Sequence, residues 1–353
     1  MATYTVKGLP WRSGLGRDVS DCKTSEEVLI KSGLNFNVEK CPIMAKMSYD
    51  TEKEQFISKT MGDFAYDGNI YRPCPNGYAT YRTDKNVPLG IVKSKYEVVQ
   101  NTDAFRFFDA AIGGVGGAVW DTAGYFGHGE KVFITAKLPI TTTVNGDAID
   151  NYLVFANSHD GSSSIFVMFT PIRCICTNCL NSALRNADAY IRIRHTESAS
   201  SNLQKGIEVL KAAIQCAKTS EELYNSLTKI KMTDEQVMEY ISTLYLSAEE
   251  NFALKQYDEK NGYKKLVTKE WLALQRTKIS TRKANIIASI NDYYHNGIGQ
   301  RHIIGTAWGA YNAITGYMSN VNNVDGQKRM DNLLWSSGNN KMLESLNKVL
   351  EYA

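Results

Sequence analysis

An α+β fold, with an antiparallel sheet and packed helices in the N-terminal half and a mainly α-helical C-terminal half, is what this 353-residue chain predicts. Three observations carry that expectation. Before about residue 197, short β-rich runs are separated by Gly, Asn and Asp turn residues. From about residue 198 the apolar spacing becomes helical, with Leu203, Ile207, Leu210 and Ile214 at i, i+4, i+7 and i+11. Between the two lies NYLVFANSHDGSSSIFVMFTPIRCICTNCLNSAL (151–184), a predicted buried hairpin with Asp160-Gly161 at a tight turn, since such turns need positive φ.

With 43% hydrophobic and 22% charged residues, the chain can bury a large core and falls outside the disordered and collagen-like classes. Its length suits two domains, placed at 1–197 and 198–353. No run reaches the roughly 18 apolar residues of a membrane span. The start, MATYTVKGLPWRSG, has no apolar core of a signal peptide, so a cytoplasmic location is expected. Seven scattered cysteines fit reduced thiols.

Taken in order, TSEEVLIKSG (24–33) predicts a helix capped by Thr24, with Glu27 three residues on and Gly33 at its end. FNVEK, PIMAKMSYD, EQFISKT, GYATYRT and LGIVKSKYEVVQ read as strands of an antiparallel meander. NTDAFRFFDAAIGG reads as an amphipathic helix, and AVWDTAGYF and EKVFITAKLP as strands either side of Gly127-His128-Gly129. Together with Asn145-Gly146 and the central hairpin, this grammar predicts one sheet. Residues 178–187 look helical, and in AYIRIRH strand alternation puts Tyr190, Arg192 and Arg194 on one face. Beyond 198, capping boxes at Thr219/Glu222 and Thr233/Gln236 predict helix starts, the second leading into Val237, Ile241, Leu244, Ala248 and Phe252. Further helices are expected over 268–296, 301–319 and 328–352.

The net charge is +3, but residues 255–283 hold nine Lys or Arg against three acids, a local +6 that leaves −3 for the remainder. Such a segment is either a polyanion-binding surface or a solvated helix face. A helix starting near Ser280 would put Arg282 and Lys283 in its first turn, with Lys278 just before and Tyr293, Tyr294 and His302 beyond. Cations with aromatics suit sequence-tolerant single-strand binding, and a core tyrosine pair under a solvated face fits equally. Trp308, Tyr311, Ile314 and Met318 have core spacing. Cys174, Cys176 and Cys179 have zinc-type ligands but no second ligand pair, so no metal site is assigned. Ser158, His159 and Asp160 contain triad residue types, but neighbours in a turn cannot relay hydrogen bonds in line. The Gly113–Gly117 loop lacks a P-loop ending, and Asp121 with Glu130 resembles a nuclease site only loosely. No catalytic residue and no cofactor is assigned.

FANSHDGSSSI followed by PIRCICTNCLNSAL, LGIVKSKYEVVQNTDAFRFFD, GYFGHGEKVFITAKLP and GTAWGAYNAITGYMSN resemble the phage/plasmid-like proteins built on domain of unknown function 932. The resemblance spans nearly the whole chain, marks His159, Asp160 and Gly161 as a motif turn, and implies a phage, prophage or plasmid origin without an activity. One departure is Cys179, where that family more often has Thr. In element order the chain is also similar to Rad52-like phage single-strand annealing proteins, which implies a basic groove and ring or filament assembly. The reading is therefore a non-enzymatic, homo-oligomeric single-stranded-DNA-binding recombination accessory of a bacterial host cell. Tyr190, Arg192, Arg194, Lys278, Arg282 and Lys283 are its expected nucleic-acid contacts. The alternatives are an interaction or anti-defence protein that binds a host protein or small nucleotide, and a nucleotide-processing enzyme with a buried polar pocket near His128, His159 or His195.

Overall fold

A computed structural model describes residues 16–47, 64–66, 69–114, 117–173, 190–199, 206–261, 279–322 and 337–352. The α+β class holds, but two antiparallel sheets stand where the turn pattern predicts one. The larger has six strands in the order β1-β6-β7-β8-β9-β10: β1 Gly16–Asp18, β6 Val119–Phe126, β7 Lys131–Val144, β8 Asp147–Ser158, β9 Ile165–Arg173 and β10 Tyr190–Ile193. In the smaller, β4 Asn69–Arg82 pairs with β2 Val38–Met47, β3 Phe64–Tyr66 and β5 Val87–Val92. The sheets separate because helix α2, Asn101–Gly114, follows β5, and the chain re-enters by pairing β6 with β1 and β7 instead of β5.

Local chemistry sets the connections. Asn145 (φ 49°) and Gly146 (φ 85°) both adopt positive φ between β7 and β8, as a primed two-residue turn requires. The β8–β9 connection is longer than the predicted tight turn: residues 159–164 join the strands. Within it only Gly161 has positive φ, at 74°. The Asp160 side chain replaces the backbone turn, accepting from Ser158 Oγ (2.6 Å) and from the Ser162 amide (2.9 Å). The LGIVKSKYEVVQ strand likewise stops at Val92, and Lys93–Gln100 continues as a turn and connection.

Helix α1, Ser25–Ser32, begins and ends as its sequence predicts: Thr24 accepts from the Glu27 amide and Gly33 closes it at φ 73°. Helix α3, Gly206–Lys229, runs straight through Thr219, where a capping box predicts a start. Buried Ala217, Tyr224 and Leu227 continue its apolar stripe, and their burial outweighs a cap worth about 1 kcal/mol. Helix α4, Asp234–Tyr245, starts at the Thr233/Gln236 box. Phe252 does not extend its buried stripe, because the chain breaks at Leu246 and Phe252 stands exposed on α5, Ala248–Asn261. Helix α6 is Thr281–Asn296. Helix α7, Ala307–Asn320, starts later than 301 because Thr306 caps the Gly309 amide. Helix α8, Ser337–Val349, ends in a 3₁₀ turn, Leu350–Tyr352. The predicted 178–187 helix, the EQFISKT strand and Cys174, Cys176 and Cys179 lie outside the described residues.

Two hydrophobic cores result. In the first, Phe105 and Phe108 of α2 pack on Trp120, while Leu153, Phe155, Val167 and Phe169 face them from the larger sheet. In the second, α7 is buried along its whole length and Trp308 lies 4.6 Å from Tyr224. Each fully buried large apolar side chain contributes about 1.5–3 kcal/mol. The β7–β8 hairpin links the cores: its distal Val144 and Ile149 belong to the helical one, and Asn225 of α3 donates to the Thr143 carbonyl (2.9 Å). No helix among the described residues is long and apolar enough to cross a membrane.

Candidate nucleic-acid interface

A cleft of ≈ 490 Å³ opens where the end of β5, the β8–β9 connection and the exit of β10 meet. Two backbone approaches build it. A Cβ on Gly90 would stand 2.4 Å from Asp160 Cα, so only glycine lets the connection lie on β5. Thr80 Oγ1 then donates to the His159 carbonyl (2.6 Å) and ties β4 to the same connection. On the other bank, Tyr96 stacks on His195 with ring centroids 4.4 Å apart, and its hydroxyl donates to the Ser158 carbonyl (2.8 Å). The Glu97 amide donates to the His195 carbonyl (3.2 Å), and Lys40 Nζ donates to the carbonyls of Ser94 and Tyr96. These bonds hold the 93–97 segment beside residues 194–196.

The banks so fixed present Lys93 and Lys95 from one side and Arg192 and Arg194 from the other, and no carboxylate lines the cleft. The carboxylate nearest in sequence to its Gly161 rim, Asp160, is turned back onto Ser158 and Ser162. Arg192 is aimed: its Nε donates to Ser164 Oγ (3.0 Å) and its guanidinium lies 5.8 Å from the Phe166 ring centre. That leaves both Nη groups for a ligand. Lys93, Lys95 and Arg194 have no ion-pair partner among the described residues. A planar fork beside three further cations is a ready acceptor of phosphate oxygens.

The floor is polar but not ionised. His195 Nδ1 donates to the Glu97 carbonyl (3.1 Å), and His159 Nε2 donates to Asn101 Oδ1 (3.0 Å), since the Asn101 amide is already spent on the Leu34 carbonyl. Burial pushes His159 down to about 3, aided by its neighbour His195, and burial lowers His195 as well. Both rings are thus neutral near pH 7. Burial also raises Tyr96 well above the usual phenol range. Ser158 Oγ is held by Asp160 while His159 faces Asn101, so the three do not form a relay. Among the described residues no group of three or more His, Cys, Asp or Glu could hold a metal ion.

Of the sequence-predicted contacts, the fold brings Arg192 and Arg194 together in this cleft, at and just beyond the end of β10. Tyr190 lies on the same strand, with its backbone opposite Met168. Lys278 lies outside the described residues. Arg282 and Lys283 occupy the first turn of α6 and do not line the cleft; Lys283 Nζ is 2.6 Å from Glu250 of α5. That pairing holds the Glu250 carboxyl below its usual range. Tyr293 and Tyr294 are core residues and cannot stack on bases. His159 and Asp160 build the loop, and Gly161 forms part of the cleft rim. Sequence reasoning missed Lys93 and Lys95. Their signal was KSKY, two lysines spaced by one residue directly after a β-run.

Residues 88–345 match the family described as domain of unknown function (DUF932). The chain belongs to that family. Both banks of the cleft in this DUF932 chain, 91–96 and 192–196, and the 161–164 rim fall inside the matched segment. Neither curated proteins nor solved structures provided a match.

Proposed function

We propose that this protein binds single-stranded nucleic acid through the cleft, as a non-enzymatic, annealing-type recombination accessory of phage or plasmid origin acting as a homo-oligomer in a bacterial host. One observation supports the reading above others: Lys93, Lys95, Arg192 and Arg194 converge from segments about 100 residues apart with no lining carboxylate to oppose them. Four such cations supply counterion-release affinity. An open cleft with cations on both banks suits a flexible strand that can bend its phosphates toward both, whereas a duplex is stiff over about 150 base pairs. Tyr96 is spent on His195, so phosphate contacts dominate and binding is sequence-tolerant.

Fluorescence anisotropy with labelled single- and double-stranded oligonucleotides tests this. The expected result is tighter binding of the single strand, with log K falling against log salt at a slope of about −0.7 per phosphate contacted. Mass photometry with and without the strand reads the assembly. Absence of single-strand binding even at about 50 mM salt would overturn the reading.

A further inference from the structure

Resting on the reading of the cleft as the nucleic-acid contact, the geometry points to a ligand with clustered phosphates, we infer, such as a 5′-phosphorylated strand end, instead of an internal run of phosphodiesters. Charge and size decide between the two. A single-strand groove tracks about 4–16 nucleotides per binding fold. This cleft, at ≈ 490 Å³, falls in the range of about 300–1,000 Å³ of small-ligand pockets. Lys93, Lys95, Arg192 and Arg194 stand around one cleft of that size, and each internal phosphodiester brings one negative charge against their four. A terminal phosphomonoester carries about −1.5 to −2, and a chain of phosphates carries more in the same space.

The built features agree with a dense anion. Arg192 is held at Nε by Ser164 and by its ring contact with Phe166, which fixes a two-pronged donor before any ligand arrives. The seryl rim, Ser162, Ser163 and Ser164, lines the cleft beside it, with Ser163 Oγ donating to the Ser164 carbonyl (3.0 Å). Because His195 of the cleft lining donates its Nδ1 proton to a backbone carbonyl and is neutral, the floor adds no fifth charge. The cation count is therefore matched by two or three phosphates and exceeds what one phosphodiester offers.

The test compares one labelled oligonucleotide bearing a 5′-hydroxyl, a 5′-monophosphate or a 5′-triphosphate, with inorganic tripolyphosphate titrated separately by calorimetry. Affinity is expected to rise in that order, by at least about tenfold from hydroxyl to triphosphate. The exposed-residue variants Lys95→Gln and Arg194→Gln should narrow the difference. Equal binding of the three ends would overturn this inference and leave strand binding standing. If tripolyphosphate binds while no oligonucleotide does, the clustered-phosphate site stands and the proposed function fails. If neither binds, both fail.

Discussion

Residues 255–283 carry a local +6 in sequence, yet two of their lysines are answered: Lys255 stands 2.5 Å from Glu239 and Lys283 2.6 Å from Glu250. Lys93 and Lys95 are inconspicuous in sequence, and Arg192 and Arg194 are marked there only by strand alternation; each pair has a neighbouring acid, Glu97 or Glu197. In the fold they share one cleft, and neither acid lines it. Linear charge density is therefore no guide to which cations stand without a carboxylate beside them. A carboxylate within hydrogen-bonding distance cancels most of a lysine's field beyond a few ångströms, while cations left unpaired around a concave wall reinforce one another.

The largest expected effect separates these regions directly. Replacing Lys93, Lys95, Arg192 and Arg194 together by Ala should weaken single-strand binding at least about 100-fold at low salt and flatten its salt dependence. Arg282→Ala with Lys283→Ala should change affinity by no more than about twofold, because one of the two cations is already paired. Anisotropy on both variants reads the contrast, and the reverse ranking would move the binding surface to α6.

A second difference lies beneath the surfaces. The cleft stands on His159 and His195, both buried and neutral, whereas α6 stands on Tyr293 and Tyr294. The unfolded chain takes up protons on these histidines below about pH 6.5, and the folded His159 does not until about pH 3. Stability is therefore full above pH 6.5 and falls as pH drops through the window between those values. Between pH 7 and pH 5, His159 alone should lower unfolding stability by about 2 kcal/mol, read from urea midpoints. His159→Gln should flatten that dependence, and an unchanged midpoint in the parent protein would contradict the buried neutral ring.

The smallest effect concerns the helix pair. Lys283→Ala should cost less than about 1 kcal/mol in thermal or urea unfolding, since Lys283 and Glu250 are both partly open to solvent and held on separate helices. A larger loss would mean that the α5–α6 contact depends on this ion pair.

The sequence by itself determined what local chemistry controls. Thr24 and Gly33 bounded α1, the Thr233/Gln236 box opened α4, Asn145-Gly146 made its turn, and period-two alternation put Arg192 and Arg194 on the exposed side of Ile193 and His195. Each depends on residues within a few positions of one another. Tertiary structure alone decided the rest. The division into two sheets depends on which strand β6 meets after α2, and the continuity of α3 past Thr219 depends on burial of Tyr224 and Leu227 against distant helices. The cleft needed Gly90 to admit Asp160 and Tyr96 to reach His195 and Ser158, contacts across 60 to 100 positions that set which cations meet and which find a carboxylate. Charge adds up in space, and only the folded chain says which charges are neighbours.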